Sequence, residues 1–209
     1  MYDILIYEVN VWLNTKIETD RLIIGEGCID DYVKIHEYDF NELQNINGRI
    51  NFIKTNPSEV RNWFNNDINA WYEKIAFDNH YNFVVYLKEE NVPIADIGFD
   101  RNDPSINGIE ISCWLHPNYW GNGYMKEALI GTMDYIFTQG FDNIICGYID
   151  NNIRSKRLCE KLGFLDYKID EEFDTNYGKT KAYIKRMPKE KFYELYKKDL
   201  VELLNQKNR

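Results

Sequence analysis

The chain is short of positive charge. Lys and Arg number 25 against 34 Asp and Glu, a formal net charge of −9 with a pI near 4.9. That balance argues against nonspecific nucleic-acid binding. It leaves a cationic partner or plain solubility. No stretch is long and apolar enough for a membrane helix. The opening MYDILIYEVNVWLN carries Asp3 and Glu8 and lacks a basic start and a cleavage-like site, so it is expected to be an added strand or ordered arm. Four cysteines (28, 113, 146 and 159) form no C-x-x-C pair, and the three histidines are scattered. Neither a disulfide frame nor a metal site is expected; reduced thiols in a cytoplasmic protein are. Internal repeats and low-complexity linkers are also missing.

What is present suits one large folded domain, or one domain with extensions. Hydrophobic residues make up 44% and aromatics 15% of 209 residues, ample for a core. The organisation expected is an extension over 1–14, one domain over 15–187 and an amphipathic terminal helix over 188–209. Strands and helices alternate. RLIIGEG reads as a strand and IDDYVKIHEYDFNELQ as a helix. Asn56-Pro57-Ser58-Glu59 reads as a helix start, with a cap, Pro at the first helical position and an early acid, running to about Phe77. YNFVVYLKE and PIADIGFDR are strands joined near Glu90-Asn91, followed by the strand GIEISCWLH, a helix after Gly123, and the short buried strand NIICGYI. NIRSKRLCEKLGF is a helix closed by Gly163. LDYKIDEEF and TKAYIKRM make a hairpin. Pro188 then opens a helix with Phe192, Leu195, Tyr196 and Leu203 on one side.

Two segments carry the chemistry. In HPNYWGNGYMKEAL, Gly121 and Gly123 stand between a strand and a helix. No glycine follows three residues after Gly123, and no G-K-[ST] follows, so neither the dinucleotide fingerprint nor the Walker loop applies. A helix N-terminus entered through glycines offers bare amides and partial positive charge to an anion, most simply phosphate or pyrophosphate. Glycines placed there for packing alone are the alternative. In NNIRSKRLCEKLGF, Asn152, Ser155 and Cys159 share one helix face, flanked by Leu158 and Leu162. A ligand lying along that stripe is one explanation; helix capping by Asn151 or Asn152 is the other. His116, before a proline, is expected to be structural.

These residues together resemble the GCN5-related N-acetyltransferase (GNAT) family, in particular the branch that acetylates ribosomal-protein N-termini (RimJ/RimL-like). The resemblance runs from about residue 16 to 187 and is most specific in EISCWLHPNYWGNGYMKEAL and NNIRSKRLCEKLGF. It implies an α/β fold with a mixed, mostly antiparallel central sheet that splays between two central strands, and helices on both faces. The family's Q/R-x-x-G-x-G/A loop falls on Trp120, Gly121, Asn122, Gly123, Tyr124 and Met125. Trp120 replaces the polar first residue and Met125 the small last one, so the main-chain amides would do the binding. The anion would be the pyrophosphate of acetyl-CoA, with no metal involved. Asn152 would bond the pantetheine arm and Ser155 would lie near it. Trp114 and Leu115 would offer backbone groups, and the thioester would enter the gap beside NIICGYI.

Moving acetyl from a thioester to an amine needs a proton acceptor for the amine, a donor for the oxyanion, and a proton for the leaving thiolate. Two-residue periodicity sets Glu110, Ser112 and Trp114 on one face of their strand, opposite Ile109, Ile111, Cys113 and Leu115. Glu110 is the candidate base, with a merely solvated glutamate as the alternative. Many relatives carry a tyrosine as acid where this chain has Cys159. A thiol there could protonate CoA; an inert buried cysteine, or solvent, could replace it. Acids crowd both expected acceptor walls: Glu26, Asp30, Asp31, Glu37, Asp39 and Glu42 against Lys34, then Asp170, Glu171, Glu172 and Asp174. They favour a cationic amine, or they are solvated surface. A non-catalytic acyl-CoA-binding module and an assembly protein on the same scaffold are the competing functions, and homodimerisation is left open. No nucleic-acid or membrane partner is expected.

Overall fold

The computed structural model describes residues 15–36, 80–101, 104–175 and 178–207. The expected N-terminal arm, the far part of the first helix and the helix from Asn56 to Phe77 lie outside them. Eight strands form one sheet in the order β1-β2-β3-β4-β5-β6-β8-β7. They are β1 (Lys16–Glu18), β2 (Leu22–Gly25), β3 (His80–Leu87), β4 (Val92–Arg101), β5 (Gly108–Leu115), β6 (Asn143–Ile149), β7 (Leu165–Thr175) and β8 (Gly178–Pro188). The described helices are α1 (Ile29–His36), α2 (Tyr124–Thr138), α3 (Ile153–Leu162) and α4 (Lys189–Lys207).

Every neighbouring pair is antiparallel except β5 with β6. That parallel pairing is short: Gly108 faces Asn143, Ile109 faces Ile144, and Glu110 faces Ile145. Beyond it the two strands keep separate company. Ile111–Leu115 stay paired to β4, and Cys146–Ile149 stay paired to β8. A splay therefore opens after Glu110, where the resemblance implied one.

The helices divide between two sheet faces. α2 buries Met125, Ala128, Leu129, Thr132, Met133, Ile136 and Phe137, the i, i+3, i+4 stripe of a helix lying on a sheet. These pack with Ile109, Ile111 and Ile144 from the strands, Leu162 from α3, and Phe192 and Tyr196 from α4 in one core. α1 makes a smaller cluster on the other face, where Tyr32, Val33 and Ile35 meet Val84, Tyr86 and Trp114.

Local chemistry fixes the ends. Asp31 accepts from the Cys28 amide at 2.9 Å, half of a capping box at the start of α1. Gly163 closes α3 at φ 79°, and the Phe164 amide reaches the Cys159 carbonyl at 3.1 Å, as expected for a left-handed C-cap. Two expectations need correction. Pro188 is the last residue of β8, opposite Asn143, and the terminal helix begins at Lys189. Leu195 does not join Phe192 and Tyr196 in the core: it is 42% exposed, because its side chain lies over the Gly163 cap. Leu203 has no described side chain.

Candidate active site

The glycine loop is built as an open cradle. Gly121 and Gly123 have φ of 83° and 80°, a conformation that strains any residue with a Cβ. Gly123 is the N-cap of α2 and supplies no side-chain acceptor to the helix. The first helical bond runs from the Glu127 amide to the Gly123 carbonyl at 3.1 Å. The first-turn amides therefore point outward uncapped, as an anion site requires. A Cβ built on Gly121 would meet no described residue within 4 Å, so the loop is open at that point.

Side chains hold that loop in place. Asn122 donates from Nδ2 to the Tyr119 carbonyl (3.1 Å) and the Trp120 carbonyl (3.3 Å). Trp120 donates from Nε1 to the Leu115 carbonyl at 2.8 Å, tying the loop to the end of β5. Tyr124 and Met125 begin α2, and Met125 is buried in the core. Its bulk points away from the cradle, so the departure from a small residue is absorbed by packing. His116 accepts at Nδ1 from the Asn118 amide at 3.2 Å, the structural role expected.

Sequence reasoning missed the strongest brace. Arg21, in the turn before β2, forks onto Glu127 through Nε and Nη2, both 2.7 Å from Oε2. Its own amide and the Thr19 hydroxyl donate to Glu127 Oε1 at 2.8 and 2.6 Å. Arg21 Nη1 also donates to the Asn122 carbonyl at 3.1 Å, and its guanidinium lies 4.5 Å from the Tyr124 ring centroid. A glutamate early in α2, one turn past the glycines, was a visible hint; its partner more than a hundred residues away was not. Arg154, at the start of α3, stacks 3.8 Å over the Trp120 ring and was also missed.

On α3, Asn152 does cap the helix. Its side-chain oxygen accepts from the Ser155 amide at 3.1 Å. That bond occupies Oδ1 and leaves the Nδ2 donors without a partner among the described residues. Ser155 is half-buried and Cys159 buried. Leu162 is buried, and Leu158 packs against the core, so the helix docks as its spacing implied.

The two sides of the splay differ in chemistry. Glu110 sits at the vertex, the last β5 residue paired to β6. Alternation sets it on the α1 face with Trp114, about 13 Å further along the strand. Trp114 stacks on His36 at 5.9 Å, and His36 Nε2 lies 2.8 Å from Asp96 Oδ2. Asp96 is also the register partner of Trp114 on β4. The α2/α3 face instead carries thiols. Cys146 Sγ is 3.3 Å from Cys159 Sγ. Their contact lowers Cys159, with help from the Lys185 charge, and raises Cys146 well above the ordinary thiol range. Cys113 is open to solvent, yet enough protein surrounds it that desolvation, then Cys159 and Asp96, push it up to about 12.

The acidic walls are less bare than the sequence implied. Glu172 pairs with Lys179 at 2.5 Å and Glu171 with Lys181 at 2.8 Å. Asp31 is spent on the Cys28 amide and on the Tyr86 hydroxyl, which donates to it at 2.8 Å. Glu37, Asp39 and Glu42 lie outside the described residues. Among the described residues no group of three metal-ligating side chains converges, and no helix is long and apolar enough to cross a membrane.

A sheet splayed at its parallel pair, with an uncapped glycine-entered helix beside the opening, is the arrangement the family resemblance implied. Comparison with known proteins makes this specific. The family model described as the acetyltransferase (GNAT) domain matches residues 21–165, and the chain belongs to that family. An uncharacterized N-acetyltransferase, YnaD of Bacillus subtilis, is 30% identical over 148 residues, covering 70% of this chain and 81% of the relative. Among solved structures, Mycobacterium smegmatis RimJ in complex with CoA-disulfide has a TM-score of 0.71 at 11% identity, covering 84% of this chain and 88% of that one. RimL, a ribosomal alpha-N-protein acetyltransferase in complex with coenzyme A, has a TM-score of 0.67 at 12% identity, covering 85% and 99%. At such identities these two speak for the fold. The protein is an acyltransferase of the GNAT family.

Proposed function

We propose that the chain transfers the acetyl group of acetyl-CoA directly to a cationic primary amine: a protein or peptide N-terminus, or a small amine such as a polyamine or aminoglycoside. The observation that carries this is the end of β5–β6 pairing at Glu110 and Ile145, beside the uncapped helix at Gly123. RimL and RimJ, similar in fold, are seen with coenzyme A or its disulfide, which fits a thioester in this cleft.

In this reading the amides following Gly121 and Gly123 hold the pyrophosphate, with Trp120, Asn122, Tyr124 and Met125 shaping the loop. Nδ2 of Asn152 and the Ser155 hydroxyl meet the pantetheine arm. The β5 backbone at Trp114 and Leu115 lines the gap, and a backbone N–H there donates to the carbonyl oxygen as negative charge gathers on it. The acceptor comes from the α1 face. Glu110 takes the ammonium proton, directly or through water, so that the neutral amine attacks; the C–S bond then breaks. The proton held between Cys159 and Cys146 lies on the thiolate side and returns to sulfur. Acetyl-CoA supplies the activated acyl group, and no covalent enzyme intermediate is needed.

A panel of amines and N-terminal peptides incubated with acetyl-CoA, with product masses read, tests the proposal. Acetylated cationic amines with stoichiometric CoA release support it. Tight CoA binding with no product from any amine would instead favour the acyl-CoA-binding module.

A further inference from the structure

We propose that Cys146 and Cys159 form a redox-active dithiol, a modification site at which a low-molecular-weight disulfide is reduced while the two cysteines close into an intramolecular disulfide. Three observations converge on this pair. The sulfurs are already 3.3 Å apart, although one belongs to β6 and the other to α3. Bonding needs a further approach, to about 2.05 Å. The contact also sets the two thiols apart, Cys159 lowered and Cys146 raised. Finally, one member of the pair is reachable, Cys159 itself being buried. Cys146 is only half-buried, and the solvent-exposed Cys113 lies on the same sheet face where β5 has parted from β6. Cys28 is set apart at the start of α1.

The chemistry balances without further reagents. A thiolate of the pair attacks RSSR, forming a protein mixed disulfide and expelling RS−. The second thiol gives up its proton and attacks the protein sulfur of that mixed disulfide, expelling the second RS−. Two protein thiols are oxidised and one disulfide is reduced to two RSH. The intramolecular bond would join β6, which borders the splay, to α3, which carries Asn152 and Ser155. Loss of turnover on oxidation rests on the reading of Cys159 as the proton donor; the cross-link does not.

The test exposes the intact protein to glutathione disulfide, traps free thiols by alkylation under denaturing conditions, and maps the peptides. The expected result is a Cys146–Cys159 linked peptide pair and a protein mass lower by two hydrogens, with no retained glutathione and reversal by dithiothreitol. Cys146→Ser and Cys159→Ser should each stop with glutathione retained or with no reaction at the remaining cysteine, and never form the internal bond. Cys113→Ser should leave the cross-link intact. Wild-type protein in which Cys146 and Cys159 both remain alkylatable while Cys28 or Cys113 is modified would overturn the proposal. So would a stable glutathione adduct on either member of the pair. Neither result bears on acetyl transfer, which the amine panel decides separately.

Discussion

Gly121→Ala isolates the loop's function from its stability. The substitution forces a Cβ onto φ 83°, which costs roughly 1–2 kcal/mol in the left-handed region. No described residue lies within 4 Å of that Cβ, so no clash with them adds to the backbone cost. Gly140, just beyond the far end of α2, has φ 94° and equally open surroundings. Gly140→Ala is therefore a matched control with the same backbone cost and no cradle. Urea melts should show both variants destabilised by about the same roughly 1–2 kcal/mol. Calorimetry with CoA should separate them. Gly140→Ala should bind as wild type, and Gly121→Ala should bind at least tenfold more weakly, about 1.4 kcal/mol, because its methyl occupies the space the anion needs. Equal CoA affinities in folded Gly121→Ala and Gly140→Ala would refute the cradle. Gly123→Glu, adding bulk and negative charge at the helix N-terminus, should abolish binding altogether.

Other outcomes follow from the same geometry. Arg21→Ala should weaken CoA binding while leaving the acceptor KM near wild type, since the fork onto Glu127 and the bond to Asn122 fix the loop; steady-state kinetics on both substrates would show it. Glu110→Gln should lower kcat by roughly 10²-fold or more at neutral pH, with partial recovery at high pH, where the amine arrives neutral; a pH–rate profile unchanged from wild type would place the proton path elsewhere. Burial works against the charge on Asp31, but its bonds from Cys28 and Tyr86 outweigh that and hold its carboxyl below the usual range. Its contribution is complete above the ordinary Asp range and lost as pH falls through the depressed value. The stability difference between wild type and Asp31→Ala, read by urea melts, should thus be largest near neutrality and shrink on acidification. The acceptor KM should rise with ionic strength if residual acidic charge steers a cation, although Lys179 and Lys181 already offset part of the hairpin's share; a flat salt series would reduce the acids to solvated surface.

Local signals in the sequence carried far. The Gly-x-Gly between strand and helix, the Gly163 cap and the alternation of GIEISCWL each depend on neighbours within a few residues, and each appears in the fold where expected. Long-range partners were not legible. Nothing near Arg21 announces Glu127, and nothing in NIICGYI announces that Cys146 will meet Cys159. Charge counting was incomplete at the hairpin for the same reason: the lysines that pair with Glu171 and Glu172 come from the facing strand, so only strand register reveals them. Asn152 shows the limit of a helical stripe. The spacing that suggested a ligand contact also permits a cap, and the cap is what its Oδ1 makes. Pro188 was read as a helix opener because proline favours that position, but the β8 ladder extends one residue further and takes it.

The most direct test is a crystal structure of the protein with CoA bound. The pyrophosphate is expected against the amides of residues 121–126 and the sulfur inside the splay, between Ile111–Leu115 of β5 and Cys146–Ile149 of β6. Density for the pyrophosphate away from the loop, or a thiol outside the splay, would contradict it.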